Sequence, residues 1–160
     1  MEKRSYVSVC VALVALVTFL GCGMFTSFGK GKKAFTAGNY EEAEKEFKKA
    51  IDEGSDAYKS HVYLGRIYAL RKDYSKGIAE CKKAFDMTPK APEAYMFLIV
   101  IYQLNGQPGQ AERLWDDASN LPGIGKGFAL HGIMPPPGGG ELRPEVIVRY
   151  IEILKGTASQ

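Results

Sequence analysis

Gly38-Asn39-Tyr40-Glu41-Glu42-Ala43 returns thirty-four residues later as Lys72-Asp73-Tyr74-Ser75-Lys76-Gly77, and thirty-four after that as Gly106-Gln107-Pro108-Gly109-Gln110-Ala111. Each copy reads as a turn followed by a helix start. A period of about 34 residues belongs to stacked helix-turn-helix units, and it constrains the chain to an all-α repeat fold before other features are weighed.

Alignment on the turn gives copies at residues 24–57, 58–91 and 92–125. Ala43, Gly77 and Ala111 share a small slot, Phe47, Cys81 and Trp115 a large one, and Ala50, Ala84 and Ala118 a second small one. Upstream of the turn, Gly31, Gly65 and Ile99 form one column and Ala34, Tyr68 and Tyr102 another. Small residues let two helices approach and large ones fill the space beside them. The step from Ala43 to Phe47 to Ala50 is four then three residues, one face of a helix. Asn39 is expected to cap a second helix with Glu42 completing a capping box, Asp73 to cap the next, and Pro92 and Pro108 to stand in first turns.

Leu64-Gly65, Tyr68, Asp73-Tyr74, Ala84 and Pro89 resemble the tetratricopeptide repeat, as do the matching columns over 24–125. The departures sit in the outer copies, where Lys30 and Ser55 replace a leucine and a proline, and Ile99 and Pro108 replace a glycine and a tyrosine. Terminal repeats face solvent on one side and are commonly atypical. The resemblance implies a right-handed solenoid of three repeats whose first helices line a peptide-binding groove. It places Phe28, Lys32 and Phe35 there from the first copy, Lys59, Val62, Arg66 and Leu70 from the second, and Glu93, Met96, Val100 and Gln103 from the third. Apolar slots around a basic centre of Lys32, Lys59 and Arg66 suit an extended or helical peptide with apolar anchors. The lysine-arginine-asparagine clamp that some relatives close on a C-terminal carboxylate is not expected, because Phe28, Tyr63, Glu93 and Phe97 fill most of its slots.

Glu2-Lys3-Arg4, an apolar run from Tyr6 to Leu20 and then Gly21-Cys22-Gly23 have the three-part layout of an export signal. The run is shorter than the roughly 20 residues of a spanning helix, so an uncleaved anchor is the second choice. Phe19-Leu20-Gly21-Cys22 resembles a bacterial lipobox, with Phe19 where leucine is preferred. The resemblance implies cleavage after residue 21 and a diacylglycerol and N-acyl lipid on Cys22, with no other cofactor. Two or three acyl chains anchor stably where one is marginal.

Residues 126–143 form a Gly/Pro-rich linker that includes Pro135-Pro136-Pro137-Gly138-Gly139-Gly140. Pro144 followed by Ile147, Tyr150, Ile151 and Leu154 predicts an amphipathic helix over 144–155, ahead of a short tail at 156–160. Val146-Ile147-Val148 leaves a strand open as an alternative. This segment, residues 128–134 or both are expected to cap the apolar end of the array around Leu114 and Trp115. Docking a partner and plugging the chain's own groove are the alternatives.

No catalytic or metal site stands out. Gly29-Lys30-Gly31-Lys32-Lys33-Ala34 mimics a dinucleotide loop without a preceding strand. His61 and His131 lie seventy residues apart without ligands at metal spacing, and Cys81 reads as a buried thiol. The 21 basic and 18 acidic residues are interspersed, giving a formal charge of +3 and no single-sign field for nucleic acid. The expectation is a non-enzymatic, lipid-anchored adaptor in a bacterial envelope, facing the periplasm from the outer membrane. It would bind another envelope protein and the membrane, but no nucleic acid or small-molecule substrate. The alternative is a permanent structural subunit of a secretion, pilus or outer-membrane assembly complex.

Overall fold

A computed structural model describes residues 26–89, 91–120 and 144–156. The expectations for the leader at 1–21, for Cys22 and for the linker at 126–143 lie outside these residues. Seven α-helices and no strand occur among the described residues: α1 (Ser27–Thr36), α2 (Tyr40–Asp52), α3 (Ala57–Leu70), α4 (Tyr74–Met87), α5 (Pro92–Leu104), α6 (Pro108–Ser119) and α7 (Pro144–Lys155). The all-α, paired-helix expectation is borne out. Val146-Ile147-Val148 is helical. The chain divides into two compact units, Met1–Ser55 and Asp56–Gln160.

The turn inside each pair is the same structure three times over. Gly38, Lys72 and Gly106 hold positive φ of 79°, 63° and 68°. The N–H of the next residue reaches back five positions, in Asn39→Ala34 O, Asp73→Tyr68 O and Gln107→Tyr102 O, each at 2.9 Å. The N–H of the positive-φ residue reaches back three, in Gly38→Phe35 O at 3.0 Å, Lys72→Ala69 O at 2.9 Å and Gly106→Gln103 O at 3.1 Å. These paired bonds satisfy carbonyls that a helix end leaves open. They also correct one expectation. Asn39 stands at the N-cap of α2 but makes no side-chain capping bond. Its N–H, which Glu42 would have to accept in a capping box, is already donated to Ala34. Asp73 does cap α4, accepting the Lys76 N–H at 3.3 Å.

In the first unit, α1 lies on α2 through Gly31, where an added Cβ would stand 2.8 Å from the Phe47 ring. Ala43, Phe47 and Ala50 are fully buried beneath it. In the second unit α3 meets α4 more closely. A Cβ on Gly65 would collide with Cys81 Sγ and stand 3.0 Å from the Gly77 carbonyl oxygen, while one on Gly77 would stand 3.0 Å from that of Gly65. The third pair has the fully buried Ile99 in the glycine column, and Trp115 in the large slot is only partly buried.

Helix α5 is the hub of the second unit. Ala94, Tyr95 and every residue from Phe97 to Gln103 are buried, because α3, α4, α6 and α7 all pack on it. An unbroken run such as Phe97-Leu98-Ile99-Val100-Ile101 suits a helix surrounded on all sides.

Two substitutions test the close approach and the turn. Gly65→Ala is expected to lower stability by about 1–3 kcal/mol, the usual range for overpacking. Lys72→Gly is expected to raise it by about 0.5–1 kcal/mol, because a left-handed conformation strains any residue with a Cβ. Urea unfolding followed by circular dichroism reads both signs.

Candidate functional site

The inner helices of the second and third pairs, α3 and α5, touch each other, and α7 packs on both. Residues of the three helices share one apolar cluster. Val62 and Ala69 come from α3, Phe97 and Val100 from α5, and Tyr150, Ile153 and Leu154 from α7, with Val146 partly buried against them. Positions 146, 150, 153 and 154 lie on one helical face. The buried face of α7 is therefore rotated from the expected one, with Ile147 and Ile151 only partly buried and Val148 57% exposed. The two faces share Tyr150 and Leu154, and periodicity alone cannot say which flank of that line meets a neighbour. Among the expected places for α7, it lies chiefly on first helices, which the groove was expected to use, while the expectation that residues 128–134 cap Leu114 and Trp115 lies outside the described residues.

Arg66 is the polar centre of this contact. Only 8% exposed, it donates from Nε to the backbone oxygen of Leu154 at 2.8 Å, in the last turn of α7. Its guanidinium lies 4.7 Å from the centre of the Tyr63 ring and 4.8 Å from that of Phe97. The partial negative charge at a helix C-terminus and the faces of aromatic rings both attract a cation. Gly156 ends α7 at φ 76°, donating its N–H to Ile153 O at 3.0 Å. A Cβ there would stand 2.9 Å from Arg66 Nη2, so glycine leaves the guanidinium its place.

The other groove residues fall into three groups. Phe28, Lys32 and Phe35 belong to the first unit. There Phe28 tilts against Phe47 with ring centres 5.7 Å apart, Phe35 is buried against Tyr40 at 5.4 Å, and Lys32 is exposed. In the second unit Val62, Val100 and Gln103 are buried and Met96 is partly so. Exposed Lys59 pairs with Asp56 at 3.1 Å, and exposed Glu93 accepts the Tyr58 hydroxyl at 3.2 Å. Burial, reinforced by the Glu93 charge, pushes the Tyr58 phenol above its ordinary range. Leu70 is out of register: the residue thirty-four positions from both Phe35 and Gln103 is Ala69, which is buried. Tyr63 and Phe97, also thirty-four apart, wall the Arg66 site. Their shared column was the signal for that role.

Several polar groups are buried for other reasons. His61 Nδ1 lies 2.7 Å from Glu80 Oε2, tying α3 to α4, and Lys83, on α4 with Glu80, donates to Glu80 Oε1 at 2.7 Å. Burial alone would raise the Glu80 carboxyl, but hydrogen bonds from Lys83 and His61 outweigh it and hold the pKa below the ordinary value. Burial pushes the Cys81 thiol up to about 12, unlike the depressed pKa of a reactive cysteine. Ser60 Oγ, Gln103 Nε2 and Tyr150 OH are buried without a hydrogen-bond partner among the described residues. These residues also contain no cluster of three or more side chains suited to a metal, and no helix long and apolar enough to cross a membrane.

Because the Glu80 pKa is depressed on folding, the stability it contributes is fully present above its ordinary value of 4.5 and fades as pH falls below that. Glu80→Gln is expected to cost about 1 kcal/mol at neutral pH, in keeping with a partly exposed charged hydrogen-bond pair. It should also flatten the loss of stability below pH 4.5, as read by thermal melts across the range.

Comparison with protein families matches residues 28–92 to a family described as tetratricopeptide repeat. The match spans the first two helix pairs. No curated protein matches the chain. Tetratricopeptide repeats are in general protein-interaction scaffolds and typically carry no enzymatic activity.

Proposed function

We propose that the chain is an exported, lipid-anchored adaptor of a bacterial envelope, holding a helix of another envelope protein on the face formed by α3 and α5. The seating of α7 on that face supports this reading most directly, because it joins an apolar cluster to a buried arginine that takes a helix end. Helix-in-groove recognition uses the same elements, with apolar anchors at helical spacing and a small number of polar contacts that fix orientation. Exposed Lys59 and partly exposed Met96 supply further contact positions on α3 and α5.

The anchor rests on Cys22 and the export-signal layout before it. In this reading the lipid holds the adaptor at the outer membrane facing the periplasm, and the protein performs no chemistry. Its selectivity comes from contacts along the inner helices, since interspersed charges provide no long-range steering.

Cross-linking pull-down from membranes tests both halves. Cys22→Ser is expected to abolish lipid labelling and shift the protein from the membrane to the soluble fraction; unchanged partitioning and labelling would defeat the anchor. Lys59→Glu with Met96→Asp is expected to weaken capture of the partner by about tenfold, the scale of one or two interface contacts. Undiminished capture would move the binding face elsewhere.

A further inference from the structure

We propose that α7 is an in-cis ligand of the α3–α5 face and that the partner is a helix built like it. Such a helix carries apolar residues at the spacing of Val146, Tyr150, Ile153 and Leu154, ends in a left-handed glycine, and displaces α7 when it binds. This rests on the adaptor reading and names the class of partner.

Arg66 marks the face as a receptor for a helix end. A buried arginine needs partners that reach it in its desolvated place. Here they include a last-turn carbonyl and two aromatic rings. The carbonyl belongs to α7, so any replacement helix must present one too. Gly156 adds a steric condition, because a side chain there meets Arg66 Nη2. A competing helix therefore needs a small residue just past its end.

Tyr150 makes α7 a displaceable ligand. Its side chain is fully buried, and its hydroxyl has no hydrogen-bond partner among the described residues. An orphaned buried hydroxyl weakens the contact it sits in. A helix with Phe or Leu at this position keeps the apolar contact and lacks the deficit. The residues from 121 to 143 join α7 to the preceding repeat, so release of α7 leaves the chain covalently intact.

A fluorescent peptide of residues 143–157, titrated into the full chain, tests the exchange. The full chain carrying Ile153→Asp and Leu154→Asp, whose own helix is evicted, is expected to bind the peptide at least ~10-fold more tightly than wild type. Adding Arg66→Ala to that chain is expected to weaken binding by ~10-fold, the scale of a charge-assisted hydrogen bond. A peptide carrying Tyr150→Phe should bind ~5-fold more tightly than the parent. Equal binding to wild type and the evicted chain, or binding indifferent to Arg66→Ala, overturns the proposal. Should the evicted chain fail to fold, hydrogen exchange decides on otherwise wild-type protein. Arg66→Ala must then speed exchange across 145–155, and unchanged protection overturns the proposal. A wild-type dimer that the double substitution converts to monomer would seat a second copy's helix on the face, and would overturn the in-cis arrangement. A chain that ignores the peptide yet still captures its envelope partner through Lys59 and Met96 overturns the exchange alone. One that takes the peptide but captures no partner overturns the adaptor reading.

Discussion

The backbone contact between α3 and α4 underlies the second unit. Gly65 and Gly77 each lack the Cβ that would strike the other's carbonyl oxygen, and Cys81 fills the space beside them. Helices this close have little freedom to rotate, since close-packed interiors resist small shifts. With Gly65 turned to α4, Arg66 faces Phe97 of α5 and Leu154 of α7. The α3–α5 face is thus set by two glycines that take no part in it. In the third pair the same column carries Ile99, and the large slot opposite, Trp115, is only partly buried.

The 34-residue return made the helix pairs legible because each unit solves the same packing problem. Helices α2, α4 and α6 start at Tyr40, Tyr74 and Pro108, and α1, α3 and α5 end at Thr36, Leu70 and Leu104, all in step. Finer features were hidden for particular physical reasons. The capping box at Asn39 looked complete, but the turn bond to Ala34 already uses the required N–H. Lys72 gave no sign of a left-handed conformation, because the glycine that normally announces one is present only in the other two copies. The face of α7 could be read only to within one residue's rotation, since Val146, Ile147, Val148, Ile151 and Ile153 are all apolar.

Arg66 was legible as a groove residue but not as the ligand of a helix end. Spacing places a side chain on a face, while its partners depend on which element arrives there. Leu154 is eighty-eight residues away in sequence, and no periodicity connects the two. The site also sets fixed dipoles around a buried cation. A helix-terminal carbonyl and two ring faces share the charge, and each is a fixed dipole or quadrupole held by packing.

That separation has a kinetic side. The contacts within each helix pair join neighbours along the chain and close small loops, which is the condition for fast folding. The bond from Arg66 to Leu154 closes a loop of eighty-eight residues, and its receptor needs Tyr63 and Phe97, on two different inner helices, already in place. Docking of α7 is therefore expected to follow assembly of that receptor. Helix α7 also follows α3 and α5 in sequence, so the face is encoded ahead of its own occupant. A helix that arrives before that docking step meets the α3–α5 face unopposed.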